Sequence, residues 1–189
     1  MIKRPTRTSG IVLLAATLLP LVAGCGPQAA PDATPDAMQC GAGGGVAVQV
    51  LGSGGPIADD ARASTGYIVW IDGKARALID AGGGTFLRFA QTGARFGDLD
   101  FIGLSHLHAD HSAAFPALIK SANFSPRTRS LSIGGPDGGG VFPGLTDYLQ
   151  TTLGEGGAYA YLGAFLKGTA NKPIMMPREV PRDETVFVY

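Results

Sequence analysis

The sequence predicts one α/β domain of layered architecture, and three observations point there. Short apolar runs of strand length alternate with segments whose apolar residues recur at helical spacing. An Asp-Gly pair separates two of those runs as a tight hairpin. At 189 residues, with 45% hydrophobic and 16% charged positions, the chain can bury one core and lacks the composition of a disordered polymer.

The elements follow in order. Val46 to Leu51, Tyr67 to Ile71 and Ala75 to Ile79 read as strands, with Asp72-Gly73 turning between the last two. Thr85 to Ala94 carries Phe86, Leu87, Phe89 and Ala90 at helical spacing, and Gly93 and Gly97 mark its end. Phe101 to Leu104 returns to strand. A helix is expected from about His111 to Ser121, with Pro116 early enough to be tolerated. Ser130 to Ile133 reads as a strand, Gly134 to Gly140 as a glycine-rich loop, and Leu145 to Leu153 and Ala158 to Leu166 as helices. Thr185 to Tyr189 reads as a strand just beginning.

Directly after the Phe101 strand comes His106-Leu107-His108-Ala109-Asp110-His111, which holds all three histidines of the chain. Four polar side chains at the end of a buried strand are costly to desolvate unless a cation converts them into a stabilised site. Neutral imidazoles and a carboxylate suit zinc, and manganese and iron accept similar ligands. If the segment leaves the strand as a tight loop, His106 and His108 converge on one cation and Asp110 and His111 face a second. Two such cations sharing a water point to hydrolysis.

The spacing of His106, His108, Asp110 and His111 resembles the signature of the metallo-β-lactamase fold, a superfamily of mostly di-zinc hydrolases. Leu51-Gly52-Ser53-Gly54-Gly55-Pro56, Arg62, Ser64, Ile79-Asp80-Ala81-Gly82 and Gly134-Gly135-Pro136 extend the likeness to its ribonuclease Z-like branch. The resemblance covers roughly Val46 to Tyr189. It implies an αββα sandwich, two metal ions, homodimers, and a role for Asp80 in bracing the metal loop without touching metal. Read from its residues alone, Asp80 is as simply a turn cap, and the glycines at 52, 54 and 55 are most simply a turn. In that family the shells are completed by a third histidine, a bridging aspartate and a final histidine. No histidine follows His111, and Asp137, Asp147 and Asp183 lie in no segment resembling the bridging aspartate. The chain therefore reads as little more than the first half of the fold.

Ahead of the domain, Lys3, Arg4 and Arg7 precede the apolar stretch Ile11 to Gly24, too short to cross a bilayer as a stable helix. Residues 1–24 read as an export signal. Leu21-Val22-Ala23-Gly24-Cys25 resembles a bacterial lipobox, which implies lipid modification of Cys25; the alternative is an ordinary secretory signal with Cys25 incidental. The proline- and alanine-rich residues 25–45 read as a tether holding the domain off a membrane, and Gly26, not being aspartate, implies by the lipobox resemblance the outer membrane facing the periplasm over the inner. Cys40 then lacks an internal disulfide partner.

Lysine plus arginine equals aspartate plus glutamate at 15 each, and loss of three cations with the signal leaves 12 against 15. That balance disfavours a dedicated nucleic-acid binder. For the complete protein the expected activity is hydrolysis of a small-molecule ester outside the cytoplasm, a phosphodiester, sulfate ester or lactone, with Asp110 orienting or deprotonating the attacking water; for the chain as it stands, weak metal binding and little or no activity are expected. The alternatives are an inactive or partner-completed metal-binding lipoprotein, and β-lactam hydrolysis. Tyr148, Tyr159, Tyr161 and Phe165 form either core packing or a substrate wall, and Lys120 and Arg127 either face solvent or neutralise an anionic substrate.

Overall fold

The computed structural model describes residues 44–169 and 174–183, all within one compact unit spanning Pro35–Tyr189. The export signal, Cys25, Cys40, most of the tether and the strand expected over 185–189 lie outside the described residues. Among the described residues no helix is long and apolar enough to cross a membrane.

A six-stranded sheet runs in sequence order: β1 (Val46–Gly52), β2 (Gly66–Ile71), β3 (Lys74–Ile79), β4 (Phe101–Gly103), β5 (Leu131–Pro136) and β6 (Met175–Val180). The first three form an antiparallel meander, and β3 through β6 are parallel. Asp72 and Gly73 both take positive φ, 48° and 73°, as a two-residue hairpin turn requires. The Asp72 carboxylate also accepts the Gly45 N–H at 2.9 Å.

Four parallel strands added in one direction place every right-handed crossover on the same side of the sheet. That side is the core. Ile68, Trp70, Leu78, Ile102, Leu131 and Ile133 are buried in one cluster with Phe89, Phe115, Leu118, Leu149 and Phe165 from the crossovers. Residues of opposite parity point the other way, and Val46, Val48 and Val50 remain 72, 62 and 57% exposed. Among the described residues there is one sheet, helix-covered on one face, where the resemblance implied two sheets packed face to face.

Several boundaries depart from the sequence reading. Helix α1 spans Thr85–Gln91 and stops before Ala94, because the Thr92 hydroxyl bonds the Phe89 carbonyl at 2.8 Å and Gly93 turns left-handed. The helix expected from His111 divides into α2 (Ala109–Ser112) and α3 (Phe115–Ala122), since Pro116 has no N–H to continue the first into the second. Strand β5 runs on through Gly134-Gly135-Pro136, expected as loop, and pairs with β6 along its whole length. Helix α4 (Leu145–Leu153) matches its expected bounds, whereas Ala158 to Leu166 yields a single 3₁₀ turn at Ala160–Leu162 and the one-turn α5 (Ala164–Lys167).

Candidate metal centre

The site stands at the carboxyl ends of β3 and β4, where open α/β sheets place their ligands. Asp80 follows β3 and donates its N–H to the Gly103 carbonyl at 2.7 Å, which locks the two strand ends together. Its backbone is left-handed, with φ 58°, and its side chain turns inward to 3% exposure. The next turn docks onto the histidine segment: Ala81 N–H reaches the His111 carbonyl and Ala114 N–H reaches the Ala81 carbonyl, both at 2.7 Å. Gly82 makes this approach possible, because a Cβ there would lie 2.0 Å from the Asp110 carbonyl oxygen.

The Asp80 carboxylate organises what faces it. One oxygen accepts the Ser105 N–H at 2.7 Å; the other accepts the Ser105 hydroxyl at 2.9 Å and His111 Nδ1 at 2.8 Å. A carboxylate can only accept, so Nδ1 of His111 carries a hydrogen, and Nε2, 3.5 Å from Asp110 Oδ2, is the ring atom left to meet a cation. Ser105 spends its hydroxyl proton on Asp80 and accepts from His106 Nδ1 at 3.1 Å, which frees the lone pair on His106 Nε2. That atom lies 3.1 Å from His108 Nδ1.

The four predicted ligands thus fall into two pairs, His106 with His108 and Asp110 with His111. Two imidazole nitrogens held on one zinc at about 2.0–2.1 Å with tetrahedral angles stand roughly 3.3 Å apart. The His106–His108 separation and the protonation pattern set by Asp80 and Ser105 therefore fit a divalent cation. The fit is partial: among the described residues no group of three or more His, Cys, Asp or Glu side chains encloses a cation. The His106 ring also lies against His111, centroids 3.9 Å apart. Partial burial, then the neighbouring His111 and His108, hold the His106 pKa below the ordinary imidazole value.

The remaining candidates separate. Arg127 is 5% exposed and gives its guanidinium to the carbonyls of Gly97, Leu99, Arg129 and Ser130, so it staples loops instead of meeting substrate. Burial lowers its pKa. Lys120 lies over the rings of Phe124 and Tyr161 at 5.7 and 5.2 Å. Phe165 is core, Tyr148 is half-buried against Phe115 with its pKa raised by burial, and Tyr159 and Tyr161 are exposed. Arg62 pairs with Asp60, and the Ser64 hydroxyl bonds the Gly55 carbonyl at 3.3 Å.

Two residues at the site escaped the sequence reading. Ser105 could have been flagged as a hydroxyl immediately before the first histidine. Phe142, whose ring meets His108 edge-to-face at 4.9 Å, gives no sequence signal, since it arrives from a loop more than thirty residues downstream. Both border a cavity of about 600 Å³ that also includes Phe101, His106, His108 and Arg182.

The model of the metallo-beta-lactamase superfamily matches residues 59–159, more than half of the chain and the whole histidine segment. The chain belongs to this superfamily. Among curated members of known name, it is 36% identical over 107 residues to ribonuclease Z of Haloferax volcanii, which covers 57% of this chain and 31% of that one. It is 33% identical over 106 residues to ribonuclease Z of Picrophilus torridus, covering 56% and 32%. Superfamily folds among solved structures include the short form of human tRNase Z, with TM-score 0.52, 22% identity, and coverage of 71% of this chain and 45% of that one. The metallo-beta-lactamase fold protein YhfI of Bacillus subtilis gives TM-score 0.50, 21% identity and coverage of 76% and 48%. The chain spans about a third of the length of these curated relatives. The αββα fold class and the ribonuclease Z-like likeness thus stand, for the first part of the fold.

Proposed function

We propose that this chain carries the histidine loop of a metal-dependent hydrolase that cleaves a phosphodiester. The supporting observation is the pair of imidazole nitrogens, His106 Nε2 and His108 Nδ1, set 3.1 Å apart, with the His106 ring oriented through Ser105 and Asp80. The name ribonuclease Z, borne by both curated relatives above, favours a phosphodiester over the sulfate ester and lactone also expected from sequence. The same name points to a nucleic-acid phosphodiester, against the small-molecule ester expected from the balanced charge of the chain.

His106 and His108 would hold one divalent cation, and Asp110 with His111 a second, zinc being the best match for imidazole-rich donors. Such cations lower the pKa of a water and stabilise charge on the ester oxygens. The protein's part is orientation. Asp80 holds His111 by its Nδ1 hydrogen, so Nε2 stays available, and the Asp110 carboxylate beside it accepts the proton of the attacking water. We place the enzyme outside the cytoplasm, exported by residues 1–24 and anchored through Cys25 to the outer membrane.

Purified protein supplied with zinc or manganese is expected to hydrolyse bis(p-nitrophenyl) phosphate, and His108→Ala and Asp110→Ala to abolish turnover without unfolding. Absence of turnover on phosphodiesters removes this reading, and turnover of a sulfate ester, lactone or chromogenic lactam instead would replace it with the corresponding hydrolase. A second reading, a non-catalytic lipoprotein or one completed by a partner or second copy, draws on the two-by-two division of ligands and on the uncovered sheet face. It predicts no turnover by the monomeric chain; a non-catalytic protein stays inactive under all conditions, and a completed one gains activity only on dimerisation or with a partner polypeptide.

A further inference from the structure

The loop between β5 and α4 is built to hold one apolar ring over the site. Gly139 and Phe142 exchange both backbone hydrogen bonds, at 3.0 and 3.1 Å, which closes a two-residue turn at Gly140 and Val141. Gly138, at φ 85°, could not carry a side chain, for a Cβ would stand 2.6 Å from the Gly144 nitrogen. The foot of the loop is fixed as well. Leu145 is fully buried, and the Thr146 N–H donates to the Glu179 carboxylate at 2.9 Å.

This construction leaves Val141 91% and Phe142 45% exposed at the loop tip. Single exposed apolar residues are ordinary on a protein surface, so what distinguishes these two is what each one faces. Phe142 is the one that faces the site. Its ring edge contacts His108 at an interplanar angle of 69°, and the ring borders the same cavity as His106 and His108. Cavities of about this size hold ligands of several rings or fewer. Arg182 and Asp137 both line it, so the two charges there oppose each other and the apolar wall is what remains to discriminate among esters.

We infer that Phe142 is a specificity-determining residue, a wall that packs against a planar ring borne by the ester bound at the histidines. The inference rests on the proposed hydrolytic reading for where the ester lies. The ring belongs to an aryl group or a nucleobase, which share the flat, polarisable face that aromatic side chains bind.

Binding tests this apart from turnover. Saturation-transfer NMR titrations of the zinc-supplied full chain compare phenyl phosphate, uridine 3′-phosphate and methyl phosphate. The wild type is expected to bind at least one ring-bearing phosphate about tenfold more tightly than methyl phosphate. In Phe142→Ala that preference falls to within about twofold, in Phe142→Trp it persists, and in Val141→Ala it is unchanged. Which of the two ring ligands responds tells aryl from nucleobase. If Phe142→Ala lowers the thermal midpoint, Phe142→Leu keeps the apolar bulk without the planar face and is expected to lose the preference. An equal affinity of the wild type for all three phosphates overturns the inference, as does a preference that survives in Phe142→Ala, or a uniform weakening of all three ligands, which would mark Phe142 as a support for His108. Ring preference without hydrolysis of any ester refutes the proposed activity and leaves the wall standing. Hydrolysis with no Phe142-dependent preference does the reverse.

Discussion

Asp80 is the residue whose replacement most sharply separates support of the fold from support of the metal centre. In Asp80→Ala the Ser105 N–H loses its acceptor, the hydrogen bonds from Ser105 and His111 to a charged group disappear, and alanine inherits a left-handed backbone at φ 58°. Hydrogen bonds to a charged group are worth about 1.5–3 kcal/mol each; Ser105 and His111 retain some solvent access, so about 3 kcal/mol in all is expected here. Asp80→Gly removes the same bonds but tolerates the backbone, and should recover about 1 kcal/mol of that loss. Asp80→Asn is the informative variant. Its amide oxygen can still accept the Ser105 N–H, so the cost in stability is about 1–2 kcal/mol. Its amide nitrogen, however, donates towards His111 Nδ1 and drives the ring hydrogen to Nε2, the atom that faces Asp110. Zinc affinity should then fall by about 10- to 100-fold while most of the stability remains. Urea unfolding of the metal-free proteins gives the first quantity, and competition for zinc with a chromophoric chelator gives the second. Asp80→Asn with wild-type zinc affinity would refute the argument that Asp80 sets the His111 tautomer.

Three further outcomes follow from the same geometry. Gly82→Ala places a methyl 2.0 Å from the Asp110 carbonyl oxygen, next to the His111 carbonyl that Ala81 binds, and should cost about 3 kcal/mol or more, seen as a fall of roughly 10 °C in the thermal midpoint; a shift under about 2 °C would contradict the close approach. His106 has a folded pKa below its unfolded value of about 6.5, so the unfolded chain takes up the proton first on acidification. Its contribution to stability is therefore present above about pH 6.5 and is lost as pH falls towards the folded pKa. Urea midpoints of the metal-free protein should decline over that window, and less steeply in His106→Gln; equal slopes would refute the assignment. Arg127→Ala leaves four loop carbonyls without their shared donor and should cost about 3 kcal/mol in unfolding measurements without changing zinc affinity, whereas a change in zinc affinity would reinstate it as part of the site.

The meander, the histidine loop and α4 were legible because each depends on local chemistry: Asp72-Gly73 for the hairpin, an apolar run ending in ligand residues for the loop, and helical periodicity for α4. Strand β6 was not legible. Met175–Val180 has Pro177 in its middle, which argues against a central strand, and it is tolerated because, among the described residues, β6 pairs with β5 on one side only. The extension of β5 through two glycines was hidden for another reason: Phe101 on β4 lays its ring over Gly134, a packing relation between distant segments. The site divides in the same way. The four candidate ligands lie in one short segment, but the hydrogen-bond chain from Asp80 through Ser105 spans 25 residues, and Phe142 reaches His108 from 34 residues away. Arg127 shows the limit of charge as a signal, since its guanidinium serves carbonyls that no linear pattern brings together.

The bare face of the sheet bears on the site as well as on the fold. Register places Val46 opposite Ile71, Val48 opposite Val69 and Val50 opposite Tyr67, so the exposed side chains form one continuous apolar surface across β1 and β2. It continues through Ile79 and Phe101, which line the cavity beside the histidines. Whatever covers this face in a working enzyme therefore also borders the metal centre. In the chain by itself these valines contribute little to stability, because they bury little area, and threonine keeps their β-branched shape. Val46→Thr, Val48→Thr and Val50→Thr combined should lower the unfolding free energy by less than about 1 kcal/mol while markedly reducing binding of a hydrophobic fluorescent dye. A loss above about 2 kcal/mol would show that the face is already covered in solution, and the two-by-two division of ligands would then have to be sought against that cover.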